Sequence, residues 1–246
     1  MTNEKSTIYR ILIYTAGMLI LAMGLTLNTK AGLGVSPIIS VSYSISEITH
    51  HNFGNMTMLL YCFFVVVEII LHLFREKRYE KESHNMLEHA NKVDRKLIFI
   101  MDFLQIPLSI IFTRFLNLFS AVLPAFSEQY DHTVKQWILR FLILLLALIL
   151  TGIGAAMSLN MRIVPNPGDG IVQAIADCIH KSVGFTKNCF DLFNVTLTII
   201  ISLVCTGRLH GVGIGTVLAV IGVGRTIAIF NHFTKEKLTK LARVEM

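Results

Sequence analysis

Two arginines stand inside apolar runs, Arg114 in LSIIFTRFLNLF and Arg225 in IGVGRTIAIF. A charge at the centre of a membrane helix costs roughly 2.5–3.5 kcal/mol on insertion scales, so each is expected to face protein or water. A guanidinium suits two roles there. It can pair structurally with an acid, for which Glu68, Asp102, Asp177 and Asp191 are the candidates, or it can grip an anionic solute through its planar fork. Asp191, Asn194 and Thr198 recur at i, i+3 and i+7 and form a polar stripe on one helix face, suited to interhelical hydrogen bonds or to ligand contact. Ser40 with Ser44, and Asp169 with Gln173 and Asp177, make similar stripes on two shorter segments. Asn28 and Asn160 each follow a long apolar run. The candidate solute-binding set is therefore Asn28, Ser40, Ser44, Arg114, Asn160, Asp169, Gln173, Asp177, Asp191, Asn194 and Arg225.

Other chemistry finds no support. No nucleophile, base and orienting group stand in a recognisable relation, so no catalytic residue and no enzyme is expected. Cys62, Cys178, Cys189 and Cys205 have neither metal spacing nor a CxxC pair and read as small core residues. His50, His51 and His210 lack a third ligand at metal-site spacing, and no metal or other cofactor is expected. Gly211, Gly213 and Gly215 precede Thr216, yet no strand leads into them, which argues against a phosphate loop. Small residues at Gly211 and Gly215 fit close helix packing instead.

The candidate residues gather around two breaks. Asn28 to Pro37 collects Gly32, Gly34 and Pro37, and Asn160 to Gly170 collects Pro165, Pro167, Gly168 and Gly170. Glycine supplies turns that other residues resist, and proline is tolerated in a first helical turn because its missing N–H would be unsatisfied there anyway. Ser36 and Asp169 read as N-caps of the short helices that follow, Pro37 to about His51 and Pro167 to about Lys181. Both are too short and polar to face lipid along their whole length.

The surrounding sequence is that of a membrane protein. The chain of 246 residues is 53% hydrophobic and 15% charged, with mean hydropathy +0.62. Long apolar runs cover Ile11 to Leu27, Met56 to Phe74, Leu97 to about Val122, Trp137 to Leu159, Cys189 to Cys205 and Gly211 to Phe230. The net charge of +6 reflects basic loops and not a nucleic-acid footprint. The loop from Arg75 to Lys96 holds seven lysines and arginines, and the tail carries Lys235, Lys237, Lys240 and Arg243. Positive charge places both in the cytoplasm with the basic N-terminus. An even number of crossings then separates the N-terminus from the loop, so the helix after Pro37 enters and leaves on one side.

The expected architecture is an all-α polytopic membrane protein with six transmembrane helices and two short re-entrant or broken helices. Residues 1–246 form one membrane domain. A first repeat covers residues 8–123 with its loop at 75–96, a second covers 137–233, and 234–246 is a cytoplasmic tail. A shift of about 132 positions brings Asn28 onto Asn160 and Lys30 onto Arg162. A smaller one brings Arg114 onto Arg225 and Phe119 onto Phe230. Three crossings per repeat make the two copies inverted, as in many secondary transporters.

The GLGVSP core of the first break, the later NPGDGI at Asn166 to Ile171 and GVGIGTVLAVIGVGRTIAIF at Gly211 to Phe230 resemble the YczE/YyaS/YitT group of bacterial integral membrane proteins. The resemblance runs from about Arg10 to Phe233. It implies a multi-pass protein of the bacterial cytoplasmic membrane, of permease type, and it supplies no substrate or catalytic residue. The expected function is a small-solute permease, with an anionic metabolite as one candidate cargo. A substrate-capture subunit of a multicomponent transporter and a non-transporting accessory or scaffold protein are the alternatives. The partners that follow are a small-molecule solute and the lipid bilayer, with no nucleic acid. Homo-oligomerisation and a membrane partner protein stay open.

Overall fold

The structure, a computed structural model, describes the backbone of residues 3–83, 95–126 and 134–244 and the side chains of 6–75, 100–126 and 134–244. The basic side chains Lys77, Arg78, Lys81, Lys92, Arg95 and Lys96 fall outside the described residues. Among the described residues eight helices follow in order: α1 Asn3–Ala31, α2 Pro37–Thr49, α3 Phe53–Ser83, α4 Arg95–Val122, α5 Val134–Asn160, α6 Pro167–Ile179, α7 Val183–Thr206 and α8 Ile214–Ala242. Six carry stretches long and apolar enough to cross a bilayer: Ser6–Ala31, Phe53–Arg75, Ile100–Val122, Val134–Asn160, Val183–Thr206 and Ile214–Ala242. Their outward faces present large apolar side chains such as Phe63, Phe103 and Leu192, each more than 60% exposed, a surface that suits lipid. The remaining two, α2 and α6, have 13 residues each. At 1.5 Å per residue that is about 20 Å, well short of the hydrocarbon core.

Both short helices start on proline and stop on histidine. Pro37 and Pro167 occupy the first helical turn, where the ring's fixed φ already matches the helix. His50 and His180 end them in the left-handed conformation, with φ of 56° and 54°. Ser36 stands at the N-cap of α2 without a side-chain cap bond. The cap of α6 is Asn166 and not Asp169: its side chain accepts a hydrogen bond from the Gly168 N–H at 3.2 Å. Asp169 sits inside the first turn, where a carboxylate meets the positive end of the helix dipole.

The centre of the fold is the crossing of α1 and α5. Gly17 lies against Ser158 and Gly24 against Thr151, so the two helices run antiparallel. The fit is backbone to backbone: a Cβ on Gly24 would lie 2.5 Å from the Thr151 nitrogen, and one on Gly154 would overlap the Leu21 backbone. Around this pair, α4 packs on α1 and α8 on α5, while α2 packs on α7 and α6 on α3. Exchanging the two halves of the chain leaves each of these relations in place.

Each central helix also closes the other's C-terminus. Arg10 donates through Nε to the Met161 carbonyl at 2.7 Å and through Nη2 to that of Arg162 at 2.6 Å. Arg140 does the same for Ala31 at 2.9 Å and Gly32 at 2.6 Å, and its guanidinium lies 5.5 Å from the centre of the Trp137 ring. The carbonyls at a helix end have no intrahelical partner, and a cation there also complements the dipole. Hydrogen bonds to charged groups contribute about 1.5–3 kcal/mol each, so Arg140→Met should lower stability in detergent by at least about 2 kcal/mol. Arg140→Lys should recover only part of it, since an ammonium has no fork to span two carbonyls. Melting curves of the two variants measure both effects.

Two expectations change at the edges, for the cysteines and for Gly215. The residues assigned to the tail at 234–246 are helical through most of their length, since α8 continues to Ala242 with Thr239 and Ala242 buried and Lys240 paired to Glu236 at 2.6 Å. Cys189 and Cys205 are exposed rather than core residues, and Cys62 and Cys178 are half-buried. Gly215 packs against the loop after α1, not against another helix, since a Cβ there would meet the Gly34 and Leu33 carbonyl oxygens.

Candidate functional site: the junction of two half-helices

The chain between α1 and α2 dips into the molecule before α2 returns it to the same end. The start of the dip is fixed by backbone bonds to the segment between α7 and α8, from Val35 N–H to the Gly211 carbonyl at 2.9 Å and from Gly215 N–H to that of Leu33 at 2.7 Å. Gly34 has φ +111°, and a Cβ on it would lie 2.6 Å from the Gly213 nitrogen, so both conformation and space demand glycine. At the other end of the molecule the segment between α5 and α6 makes an equivalent dip. Arg10 holds its start, and the Tyr14 hydroxyl donates to the Val164 carbonyl at 2.8 Å one helical turn deeper.

The two dips bring the N-termini of α2 and α6 together. A Cβ on Gly168 would lie 2.6 Å from Cδ1 of Ile38, so the first turns of the two helices touch. From there each helix runs back to its own end. Ser40 and Ser44 of α2 face Thr198 and Ser202 of α7, hydroxyl to hydroxyl at 2.7 Å in both pairs. Asp177 of α6 reaches Arg75 of α3 at 2.7 Å. Two partial positive charges from helix dipoles therefore point at one region deep in the protein.

Around the junction stand groups from α3 and α7. Tyr61 is buried between Phe64 and Phe112, at ring distances of 6.3 and 6.1 Å, and its hydroxyl lies in the neighbourhood of Asn166 and Asp169. Lys187 lies 3.6 Å from Asp191 Oδ2 and also within electrostatic range of Asp169, while Asp191 Oδ1 is buried with no hydrogen-bond partner. Asn194 and Thr198 continue this line one and two turns along α7. Asn194 donates to the Phe190 carbonyl at 2.8 Å, and Thr198 donates to that of Asn194 at 2.7 Å.

Of the eleven candidates read from sequence, the structure gathers Ser40, Asp169, Asp191 and Asn194 near this junction, with Ser44 one turn above it. Gln173 is exposed and donates to Asp177 at 2.9 Å, so these two belong to a surface group with Arg75. Asn160 donates to Asn231 of α8 at 2.7 Å, and Asn28 is buried with no partner for either amide atom. Arg114 and Arg225 are not brought together. Both are exposed, and Arg114 reaches Asn55 Oδ1 at 3.2 Å near the start of α3. Nor do they pair with the acids named for them: Asp102, Asp177 and Asp191 face His72, Arg75 and Lys187 instead. An apolar run gives no phase for the one charge within it, and a long stem lets that charge snorkel outward. Arg114→Gln and Arg225→Gln should each stay within about 0.5 kcal/mol of the parent in thermal unfolding, as exposed substitutions usually do.

Tyr61, Asn166 and Lys187 join the site without having been singled out from sequence. The signal for Asn166 was present, since Asn before Pro in a first helical turn is a cap pattern. A separate cleft of about 560 Å³ opens where α1 ends, lined by Thr29, Gly34, Tyr43, Trp137, Arg140 and Gly211 among others. It lies above the first dip on the side of the molecule where α2 returns.

No curated relative and no solved structure matches the chain. A profile of one family, described as a family of unknown function (DUF6198), matches residues 8–232. That span takes in every helix from the first turns of α1 to most of α8, and the chain belongs to the DUF6198 family.

Proposed function

We propose that the protein is a small-solute permease of secondary-transporter type whose solute site is the junction of α2 and α6. The observation that carries this reading is the meeting of two half-length helices, N-terminus to N-terminus, inside a bundle of six longer ones. Non-helical backbone at membrane depth is tolerated where it is enclosed by protein or lines a wet cavity, and broken helices of this kind form the solute sites of many transporters. The antiparallel crossing of α1 and α5 and the matching pairs of neighbours support two inverted repeats. The resemblance to the YczE/YyaS/YitT group points the same way. Inward-pointing dipoles favour a solute carrying an acceptor or anionic group, with Lys187 as the base at hand and the two exposed arginines playing no part.

Thermal-shift screening of the purified chain against classes of small metabolites should yield solutes that raise its melting temperature, because a ligand of the folded state stabilises it by mass action. Those solutes should then enter proteoliposomes containing the chain alone. Binding without uptake would replace this reading with that of a capture subunit. Neither binding nor uptake across the classes would replace it with an accessory protein.

With both termini in the cytoplasm, single cysteines near Glu82 and Glu236 should react only with permeant reagent in intact cells, in a functional background without the native four. A cysteine at Asp131, outside the described residues, should react from outside. An externally reactive site at Glu82 would remove the six-crossing topology and with it the inverted repeat.

A further inference from the structure

We propose that Glu68, His72, Asp102 and Gln105 form a binding site for one divalent first-row transition-metal cation, held between α3 and α4. This site borders the first turn of α6, and its argument does not depend on the transport reading.

The sequence puts two donor pairs on facing helix surfaces. Glu68 and His72 are one turn apart on α3, and Asp102 and Gln105 are one turn apart on α4, at spacings that place each pair on a single helix face. The pairs meet in the fold. His72 Nδ1 lies 2.9 Å from Asp102 Oδ2, and Gln105 Nε2 donates to Glu68 Oε1 at 3.0 Å. One ligand atom from each of Glu68, His72 and Asp102 lies within 4.8 Å of the others. Ligands at about 2.0–2.2 Å from a common ion are roughly 3–4 Å apart, so small side-chain rotations close the set on a metal.

Hydrogen bonds within the cluster leave it incomplete. Glu68 Oε2 and Gln105 Oε1 are both buried and neither has a hydrogen-bond partner. Glu68 is 3% exposed and Gln105 is 0% exposed, so water does not serve them from the surface. No described cation makes an ion pair with Glu68: Arg75, one turn beyond His72, is held by Asp177, and Lys187 belongs with Asp191. Two buried carboxylates and two acceptor oxygens lacking donors form a strongly unfavourable group by themselves. A bound cation neutralises the carboxylates and gives Glu68 Oε2 a partner, and turning the Gln105 amide over, so that Oε1 takes the place of Nε2, brings its oxygen to the ion as well.

The donor set also selects the ion. One imidazole nitrogen with carboxylate and amide oxygens suits Mn²⁺, Fe²⁺, Co²⁺ or Zn²⁺, whereas an all-oxygen cage would suit Mg²⁺ or Ca²⁺. The His72 side chain is 13% exposed and forms the open edge of the cluster. On the closed side the carboxylate of Glu68 rests on the backbone of Gly170 in α6, where a Cβ would lie 2.7 Å from Oε2. Occupancy of the site therefore bears directly on the position of one half-helix.

The test uses the full chain in detergent, stripped with a chelator and titrated with MnCl₂ under electron paramagnetic resonance. One Mn²⁺ per chain should bind, Zn²⁺ should displace it and Mg²⁺ should not, and pulsed spectra should show nitrogen modulation from a coordinated imidazole. His72→Gln should abolish that modulation. Glu68→Gln and Asp102→Asn should weaken binding by at least about tenfold, the loss seen when even a hydrogen-bonding neighbour of a ligand is removed. If the acid variants fail to fold, the parent chain and His72→Gln still decide. No bound Mn²⁺ at millimolar concentration in the parent would overturn the site in favour of a proton shared between Glu68 and Asp102. Nitrogen modulation that persists in His72→Gln would overturn it as well.

Discussion

Gly154→Ala should lower the stability of the purified protein by about 1–3 kcal/mol, and Gly24→Ala should act in the same direction. Each added methyl meets backbone of the facing central helix, and at Gly24 the Thr151 Oγ1 at 2.6 Å as well. At Gly154 it overlaps the Leu21 nitrogen and lies 2.7 Å from both the Leu21 Cα and the Gly17 oxygen; at Gly24 it lies 2.5 Å from the Thr151 nitrogen. Only separation of α1 and α5 relieves such contacts, and separation also pulls Arg10 and Arg140 from the carbonyls they close. A membrane domain gains little from burying apolar surface between helices already in lipid, so close packing supplies much of the adhesion at this crossing. Gly224→Ala is the control. Nothing lies within 4 Å of a Cβ there, in the same type of apolar helix, and removing glycine from a helix interior should be neutral or stabilise by up to about 1 kcal/mol. Melting curves in one detergent compare all three. Parent-like melting of Gly154→Ala would mean that α1 and α5 do not touch as described.

Much of the bundle was legible because the bilayer imposes a length. Six apolar runs and two shorter polar helices are all present, with ends that shifted by up to twelve residues, most at the end of α8, where charged and polar turns extend the helix. Pro37 and Pro167 marked the starts of α2 and α6 for a reason that needs no tertiary structure. The depth of those starts was not legible. It depends on Gly34 pairing against the Gly211 to Gly215 segment and on Tyr14 holding Val164, contacts between residues some 150 or more positions apart in the chain. The direction the arginines face was hidden for a related reason. Hydropathy flagged Arg114 and Arg225 as exceptional, yet the arginines that hold the fold together are Arg10 and Arg140, which sit near helix ends and look ordinary in sequence. Cost in lipid identifies a charge that needs an explanation, not the direction it faces. The Glu68, His72, Asp102 and Gln105 group was within reach, since its i, i+4 and i, i+3 spacings mark polar faces on two otherwise apolar spans.

Tyr61 separates the stability of the junction from its use. Tyr61→Ala should cost about 3–5 kcal/mol, the range for truncating a large buried aromatic, because the ring is 1% exposed and lies between Phe64 and Phe112. Tyr61→Phe keeps that packing and removes only the hydroxyl, which lies in the neighbourhood of Asn166, the N-cap of α6. Even a full hydrogen bond would be worth only about 0.5–1.5 kcal/mol net, and Asn166 keeps its bond from the Gly168 N–H, so the phenylalanine variant should melt within a few degrees of the parent. If the meeting point of the two half-helices is where a solute binds, the same variant should shift the affinity of any solute recovered by thermal-shift screening. A polar site that loses one of its few fixed groups discriminates less well, since the partner of the missing group is left unpaired. Asp191→Asn provides the companion measurement from α7, where Oδ1 is buried without a hydrogen-bond partner and Lys187 stands 3.6 Å from the other oxygen. Loss of affinity in both variants, each still folded, would tie the solute to the junction. Unchanged affinity in both would move the solute site elsewhere, with the cleft beside Trp137 and Arg140 the next place to probe.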